Sequence, residues 1–367
     1  MTAVPSDPTN ALVWLSEGQR PLARALAALA NLSITHVGSP DASAGAHFAQ
    51  AMAATHATDL RAAVVSAPCK LALILDPGSF ASSDTADKQA LLEARDRGTT
   101  VITLEPMPAS LADLGSENVG PGAWARLCPL SRLTRPVREA LDMLPAFGTL
   151  RSASITLCGS QNEGSLGFRL LDAMDLLLRF FDATETIDAT YSAPSAPPGA
   201  ANPSALRAVP GESLRTRGPL HGDLSLAVRF GGGRGASVLL SDQTASAMAS
   251  GPAEHHRAIT LLGAGGMIVV TPKTCQWTDP AGKIVDKSRP RPLGSGLARS
   301  LELEEPISLT AYEMAAQIRA LLDGEELAPG SPAEFARALA LAQTALLSSR
   351  TAEGESPETL QRIAGVH

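Results

Sequence analysis

The chain has 367 residues, 44% of them hydrophobic, which is too long for one ordinary core and enough to fill two. A formal charge of -7 and only 4% aromatic residues exclude the basic face and stacking platforms of a nucleic-acid binder. Residues 1–10 lack the basic and apolar segments of a signal peptide, and no apolar run reaches the ~20 residues of a membrane span, so a soluble cytoplasmic protein is expected. The cysteines Cys69, Cys128, Cys158 and Cys275 lie far apart with no pair at metal-ligand spacing, which is the pattern of buried free thiols.

In chain order, residues 11–15 form a short apolar strand, and the Ala/Leu-rich run 21–30 is a strong helix former with Pro21 in its first turn. Residues 33–37 read as a second strand, 44–54 as a second helix and 71–75 as a further strand. Residues 86–97 set Leu91 and Leu92 among charged side chains, as on a surface helix, and Gly98 is placed to supply its left-handed cap. Residues 100–104 are a buried strand that Pro106 ends, at the carboxyl edge where open α/β sheets place ligands. Such alternation predicts a Rossmann-like, doubly wound parallel sheet. The first strand-to-helix turn, Ser16-Glu17-Gly18-Gln19-Arg20-Pro21, keeps only Gly18 of the Gly-x-Gly-x-x-Gly that lets backbone approach a pyrophosphate. The acid expected at the end of the second strand falls on Gly38 or Ser39, with Asp41 a few residues late. A Rossmann-like domain kept for shape is favoured over retained nucleotide binding.

Gly, Ser, Asn and Pro in 114–122 mark a domain crossing, which divides the chain into residues 1–120 and 121–367. Residues 132–144 read as a helix whose start Pro136 interrupts, and 152–157 as a strand. In 164–181, Leu166, Leu170, Met174, Leu177, Leu178 and Phe181 recur at helical spacing. Asp172 and Asp175 project near one face of that helix, where paired carboxylates can share a proton, but Arg169 and Arg179 at helical spacing favour ordinary ion pairs. The proline-rich 192–219 reads as an exposed loop. Residues 224–230 and 236–240 flank the glycine run 231–235, and 258–262 and 267–270 flank 263–266. A phosphate loop leads into a helix, whereas these lead into strands, so both are hairpin turns of a mostly antiparallel open sheet. Residues 279–283 make another turn, before Ile284 and Val285. Glu254-His255-His256 has no third or fourth ligand in view and reads as a solvated loop, with no metal site. Residues 309–322 and 332–348 close the chain as helices packed on that sheet.

The stretch from Gly98 to Pro108 resembles the Gly-Lys-His-Val-Leu-x-Glu-Lys-Pro run of the Gfo/Idh/MocA group of nicotinamide-dependent sugar and polyol dehydrogenases. Gly98 and Val101 match, Pro106 is the family proline, and Leu104 and Glu105 stand in place of Glu and Lys. On the helix, Ala173, Asp175 and Leu176 match the end of that family's Asp-x-Gly-x-His-x-x-Asp, which puts Phe168, Leu170 and Asp172 at the aspartate, glycine and histidine. The tail 346–357 is similar to the family's closing Leu-Ser-x-Arg-Thr-Gly and Glu-Ser-Pro. The resemblance implies an α/β fold of a Rossmann-like domain followed by an antiparallel-sheet domain. It places Glu105, Asp172 and Asp175 at catalytic positions and Ser16, Gly18, Pro77 and Pro106 at cofactor positions, for NAD or NADP bound weakly or not at all. It also implies a sugar- or polyol-like ligand and a homodimer, or a heterodimer with a paralogue. Three functions stay open: a degenerate binding or regulatory subunit, which the replaced residues favour; an active NAD(P)-dependent dehydrogenase or reductase with relocated acid and base; and a scaffold partner of a competent paralogue.

Overall fold

In the computed structural model the described residues are 7–78, 80, 85–111, 114, 126–192, 206–208, 218–243, 256–288, 307–324 and 332–363. Six strands, β1 (Thr9–Trp14), β2 (Leu32–Gly38), β3 (Thr55–Ala57), β4 (Leu71–Ile74), β5 (Thr100–Thr103) and β6 (Arg126–Leu127), form one sheet in the order β3-β2-β1-β4-β5-β6. Every pairing in it is parallel. The apolar runs of β1 and β4 follow from this, because helices cover both faces of the sheet and no side needs to be polar. Helices Arg20–Ala30 and Ala42–Ala51 lie on one face, and Leu60–Ser66 and Thr85–Asp96 on the other. Gly98, at φ +80°, closes the last of these helices with a hydrogen bond from its N–H to the Arg95 carbonyl at 2.8 Å. The strand β3 and the helix Leu60–Ser66 are too short to show a period, so the sequence reading passes over them.

The second sheet has eight strands in the order β16-β15-β14-β13-β7-β12-β11-β8. They are β7 (Leu150–Cys158), β8 (Thr184–Ser192), β11 (Asp223–Phe230), β12 (Arg234–Ser241), β13 (His256–Gly263), β14 (Gly266–Val270), β15 (Cys275–Thr278) and β16 (Ile284–Lys287); β9 (Arg207–Ala208) and β10 (Gly218–Pro219) pair separately. All pairings are antiparallel except β7 with β12. In β11 Leu224, Leu226, Val228 and Phe230 face the core, and Asp223, Ser225, Ala227 and Arg229 face out. Helices Arg135–Phe147, Leu166–Phe180 and Pro332–Thr351 cover the inner face. Both glycine runs turn hairpins: Gly232 and Gly233 take φ of +75° and +73°, and Gly266 takes +102°.

Some details differ from expectation. Pro136 does not interrupt its helix but sits in the first turn, where its missing N–H is harmless. Helix Leu309–Leu322 packs on Arg20–Ala30 and the parallel sheet, through Ala311, Met314, Ala315 and Ile318, and not on the antiparallel sheet. Its Gln317 accepts a hydrogen bond from the Leu130 N–H at 3.0 Å and returns one to the Leu130 carbonyl at 3.1 Å. Within the expected exposed loop, Leu206 is fully buried, and its N–H bonds the Ala109 carbonyl at 3.1 Å. Its carbonyl presses on Gly167, where a Cβ would stand 2.0 Å from that oxygen, so only glycine fits. The rest of that loop (193–205 and 209–217), most of the crossing at 114–122, and Glu254 and His255 lie outside the described residues.

Candidate functional site

The site forms where the carboxyl ends of β4 and β5 meet the amino end of helix Leu166–Phe180. Ser165 caps that helix, its Oγ accepting from the Phe168 N–H at 3.2 Å. Glu105, just past β5 and 1% exposed, accepts from the Ser165 N–H at 3.1 Å through Oε1 and from the Ser165 hydroxyl through Oε2. Asp242 accepts from the Leu166 N–H at 3.3 Å, the Gly222 N–H at 2.9 Å and Gln243 Nε2 at 2.6 Å. The first N–H groups of a helix have no partner inside it and carry the positive end of its dipole. Here two protein carboxylates take them. The buried guanidinium of Arg169 closes the charge, donating to the carbonyls of Ser160 at 3.0 Å and Gly164 at 3.1 Å. Burial lowers its pKa, and the carboxylates of Asp242, Glu163 and Glu105 oppose that.

The helix ion pairs expected for Asp172 and Asp175 do not form, because neighbouring elements supply better partners. Asp172 accepts from the Ser131 N–H at 2.8 Å and the Ser131 hydroxyl at 2.6 Å, and Arg257 reaches the same hydroxyl at 3.2 Å. Asp175 lies 2.8 Å from Arg132 Nε, close but poorly aligned for a hydrogen bond, so that contact is Coulombic. Arg179 turns to Glu334, at 3.0 and 2.5 Å. Burial pushes the Asp172 carboxyl up to about 6, outweighing the Ser131 hydrogen bonds that favour its charged form. Burial likewise raises Asp175 against Arg132 and Arg179.

The first turn of the parallel sheet is filled from within the chain. The Ser16 N–H donates to Gln19 Oε1 at 3.0 Å, and Gln19 Nε2 reaches the Leu75 carbonyl at 3.2 Å. Asn162, from the second sheet's side, covers Gly18 so closely that a Cβ there would stand 2.3 Å from its Oδ1. Gly38 faces the Trp14 ring, 2.1 Å from where its Cβ would be. Asp41 caps helix Ala42–Ala51, accepting from the hydroxyl and N–H of Ser43 at 2.7 and 2.9 Å, which lowers its pKa. Pro77 and Pro106, both buried, turn the chain out of β4 and β5. The structure therefore gathers Glu105, Ser16, Gly18, Pro77 and Pro106 along the carboxyl edge of the parallel sheet, and sets Asp172 and Asp175 further along the helix, against the turn Ser131–Leu133.

One pair at this site has no counterpart in the sequence reading. His221 Nδ1 lies 2.6 Å from Asp242 Oδ2. The two residues are 21 apart with nothing in their spacing to link them; the pairing of Asp223 with Ser241 across β11 and β12 brings them together. The hydrogen bond to Asp242 raises the imidazole pKa against burial, with help from the charges of Asp242, Glu105 and Asp76. Burial would raise Asp242, but its bonds from His221, Gly222 and Gln243 win and hold it low.

No family model matches the sequence, and no curated protein sequence matches it. Solved structures match along nearly the whole chain at 14% identity. An oxidoreductase from Agrobacterium radiobacter in complex with NAD+, L-tartaric acid and magnesium has a TM-score of 0.62 and covers 97% of this chain and 100% of its own, at 14% identity. A levoglucosan dehydrogenase in complex with NADH and L-sorbose has a TM-score of 0.60 with 95% and 99% covered. A myo-inositol dehydrogenase from Sinorhizobium meliloti, so described provisionally, has 0.57 with 95% and 99% covered, again at 14% identity. The fold is that of the Gfo/Idh/MocA-type dehydrogenases. Within that Gfo/Idh/MocA fold, this chain holds Glu105, Asp41 and Asp172 in hydrogen bonds to its own backbone and serines. Among the described residues no group of three or more His, Cys, Asp or Glu side chains is placed to hold a metal ion, and no helix is long and apolar enough to cross a membrane.

The raised Asp172 pKa fixes a sign for stability. A carboxyl at about 6 in the folded chain, against 3.8 as its ordinary value, adds stability that is whole below ~4 and lost as pH rises through ~6. The amide of an Asp172→Asn variant has no such titration, so wild type should weaken relative to that variant over the same window by on the order of 3 kcal/mol. Urea unfolding of both proteins across the range checks this; a wild type that gains on the variant with rising pH would refute a carboxyl whose burial outweighs its hydrogen bonds.

Proposed function

We propose that the chain is a catalytically degenerate relative of the NAD-dependent dehydrogenases whose fold it carries, acting as a binding or regulatory subunit. The observation that carries this is Glu105. Where the family places a lysine that touches cofactor and substrate, this chain has a fully buried carboxylate with both oxygens engaged by Ser165. Hydride transfer to a carbonyl needs positive charge or a proton donor at the oxygen, and a carboxylate supplies neither. The residues around Gly18 and Gly38 support the same reading for the nucleotide: Glu17 adds negative charge, Pro21 removes an N–H, and Asn162 and Trp14 stand over the two glycines. A carboxylate at Glu17 and a missing N–H at Pro21 both weaken this turn as a seat for a diphosphate.

An active NAD(P)-dependent dehydrogenase with relocated acid and base is the alternative, and the His221–Asp242 pair is the observation in its favour. The two separate on cofactor binding. Calorimetric titration with NADH and NADPH should give dissociation constants weaker than about 1 mM for a degenerate chain. A micromolar constant, with turnover on sugars or inositols, would establish the alternative instead.

Assembly follows from the outer face of the second sheet. Its exposed residues include Ser154, Ser225, Ser237, Leu239 and Leu262 beside the charged Asp188, Asp223 and Arg229, and a sheet covered by helices on one side only has the other to bury. A homodimer, or a dimer with a like-shaped partner, through this face is therefore part of the proposal. Sedimentation should show a dimer at micromolar concentration that Leu239→Arg dissociates; a monomeric wild type would remove this part.

A further inference from the structure

We propose that a cavity at the amino edge of the parallel sheet, on the opposite side of that domain from the cleft, binds a small organic phosphate. The cavity measures about 540 Å³. It lies where β1 and β4 begin and just ahead of β5, and Asn10, Lys70 and Thr99 line it from these three starts. Glu105 follows the other end of β5, so nothing at this cavity depends on the degenerate reading of the cleft.

Two cations line this cavity without an acid to meet them. The chain carries a formal charge of -7, and several of its guanidinium groups find carboxylates: Arg61 meets Asp87, Arg135 meets Glu139 and Arg179 meets Glu334. Arg97 instead donates to carbonyls, from Nε to Glu93 at 3.3 Å and from Nη2 to Val64. Those carbonyls lie in the last turns of helices Thr85–Asp96 and Leu60–Ser66, whose negative ends come to this edge. The guanidinium is thereby fixed but not used up. Of its five N–H donors three remain, two on Nη1 and one on Nη2. The side chains of Lys70 and Asn10 have no partner among the described residues, and Asp7, the acid of the lining, pairs with neither cation.

This donor set selects the ligand. A fixed planar guanidinium beside a mobile ammonium suits the oxygens of a phosphate, the first as a fork and the second as a point charge. The volume is that of a small-molecule site and far more than one phosphate fills, and Pro8, Ala67 and Pro68 give it an apolar wall, so the phosphate carries an organic group. Lys70 and Arg97 against Asp7 leave one net positive charge, which favours a monoester over a polyphosphate. Cys69 lies in the same lining and is half-buried, whereas Cys128, Cys158 and Cys275 are buried. Burial pushes its thiol up and the charge of Arg97 opposes that, as expected of two groups that share one cavity.

Cys69 therefore reports occupancy. The full chain is alkylated with iodoacetamide, a neutral reagent, and the rate at Cys69 is followed by peptide mass with phenyl phosphate, inorganic phosphate, ATP or benzamide present at millimolar concentration. Phenyl phosphate should slow the reaction several-fold, more than inorganic phosphate or ATP, and benzamide should not slow it. Lys70→Gln removes the cation without a partner, so it should raise the phenyl phosphate concentration for half-protection about tenfold with the melting temperature unchanged. A nucleotide bound in the cleft would leave this rate unaltered, so the readout belongs to the amino edge alone. No protection by phenyl phosphate, equal protection in Lys70→Gln, or protection by benzamide would overturn the proposal. Protection by inorganic phosphate or ATP as strong as that by phenyl phosphate would overturn the assignment to an organic monoester.

Discussion

The amino end of helix Leu166–Phe180 is the point on which both halves of the molecule depend. Its free N–H groups and dipole attract negative charge. The chain answers with Glu105 from the first sheet and Asp242 from the second, and with Arg169 buried beneath both. Because these charges lie out of water, each is tolerable only while the others stay in place. Removing any one leaves the remaining buried ions with less compensating charge, and for that reason the contact fixes the approach of the two sheets as well as the identity of its residues.

That arrangement decides what the cleft can do. A helix end facing a sheet edge is a natural seat for an anionic ligand, yet here the seat is taken by side chains that cannot leave cheaply. Asn162 lies against Gly18 and the Trp14 ring against Gly38 at the ends of β1 and β2.

Much of the fold was legible from residue patterns. Gly98 with its positive φ, the apolar runs of β1 and β4 and the alternation in β11 each follow from local geometry, and each reappears in the structure. The resemblance carried by Gly98, Val101 and Pro106 pointed to the fold that the solved structures share. Short elements such as β3, and β8, which buries only Ile187 and Ala189, carry too little signal to read. The site was legible in part. Glu105 and Gly18 fall where the sequence placed them, but Asp172 and Asp175 find their partners in Ser131 and Arg132, on a distant turn of the chain, and no helical spacing reports that. His221 and Asp242 meet only because two strands pair, so nothing in the linear order announced them.

The central claim is that Glu105 is a structural partner of the helix end and not a displaced catalytic group. Replacing it by the family's lysine, Glu105→Lys, tests that most directly, with unfolding and cofactor-linked turnover measured on the same preparation. If the account holds, the ammonium will face the helix dipole and Arg169 where a carboxylate stood, the chain will lose about 3–5 kcal/mol or fail to fold, and no turnover will appear. A variant as stable as wild type that oxidises a sugar with NAD would contradict it.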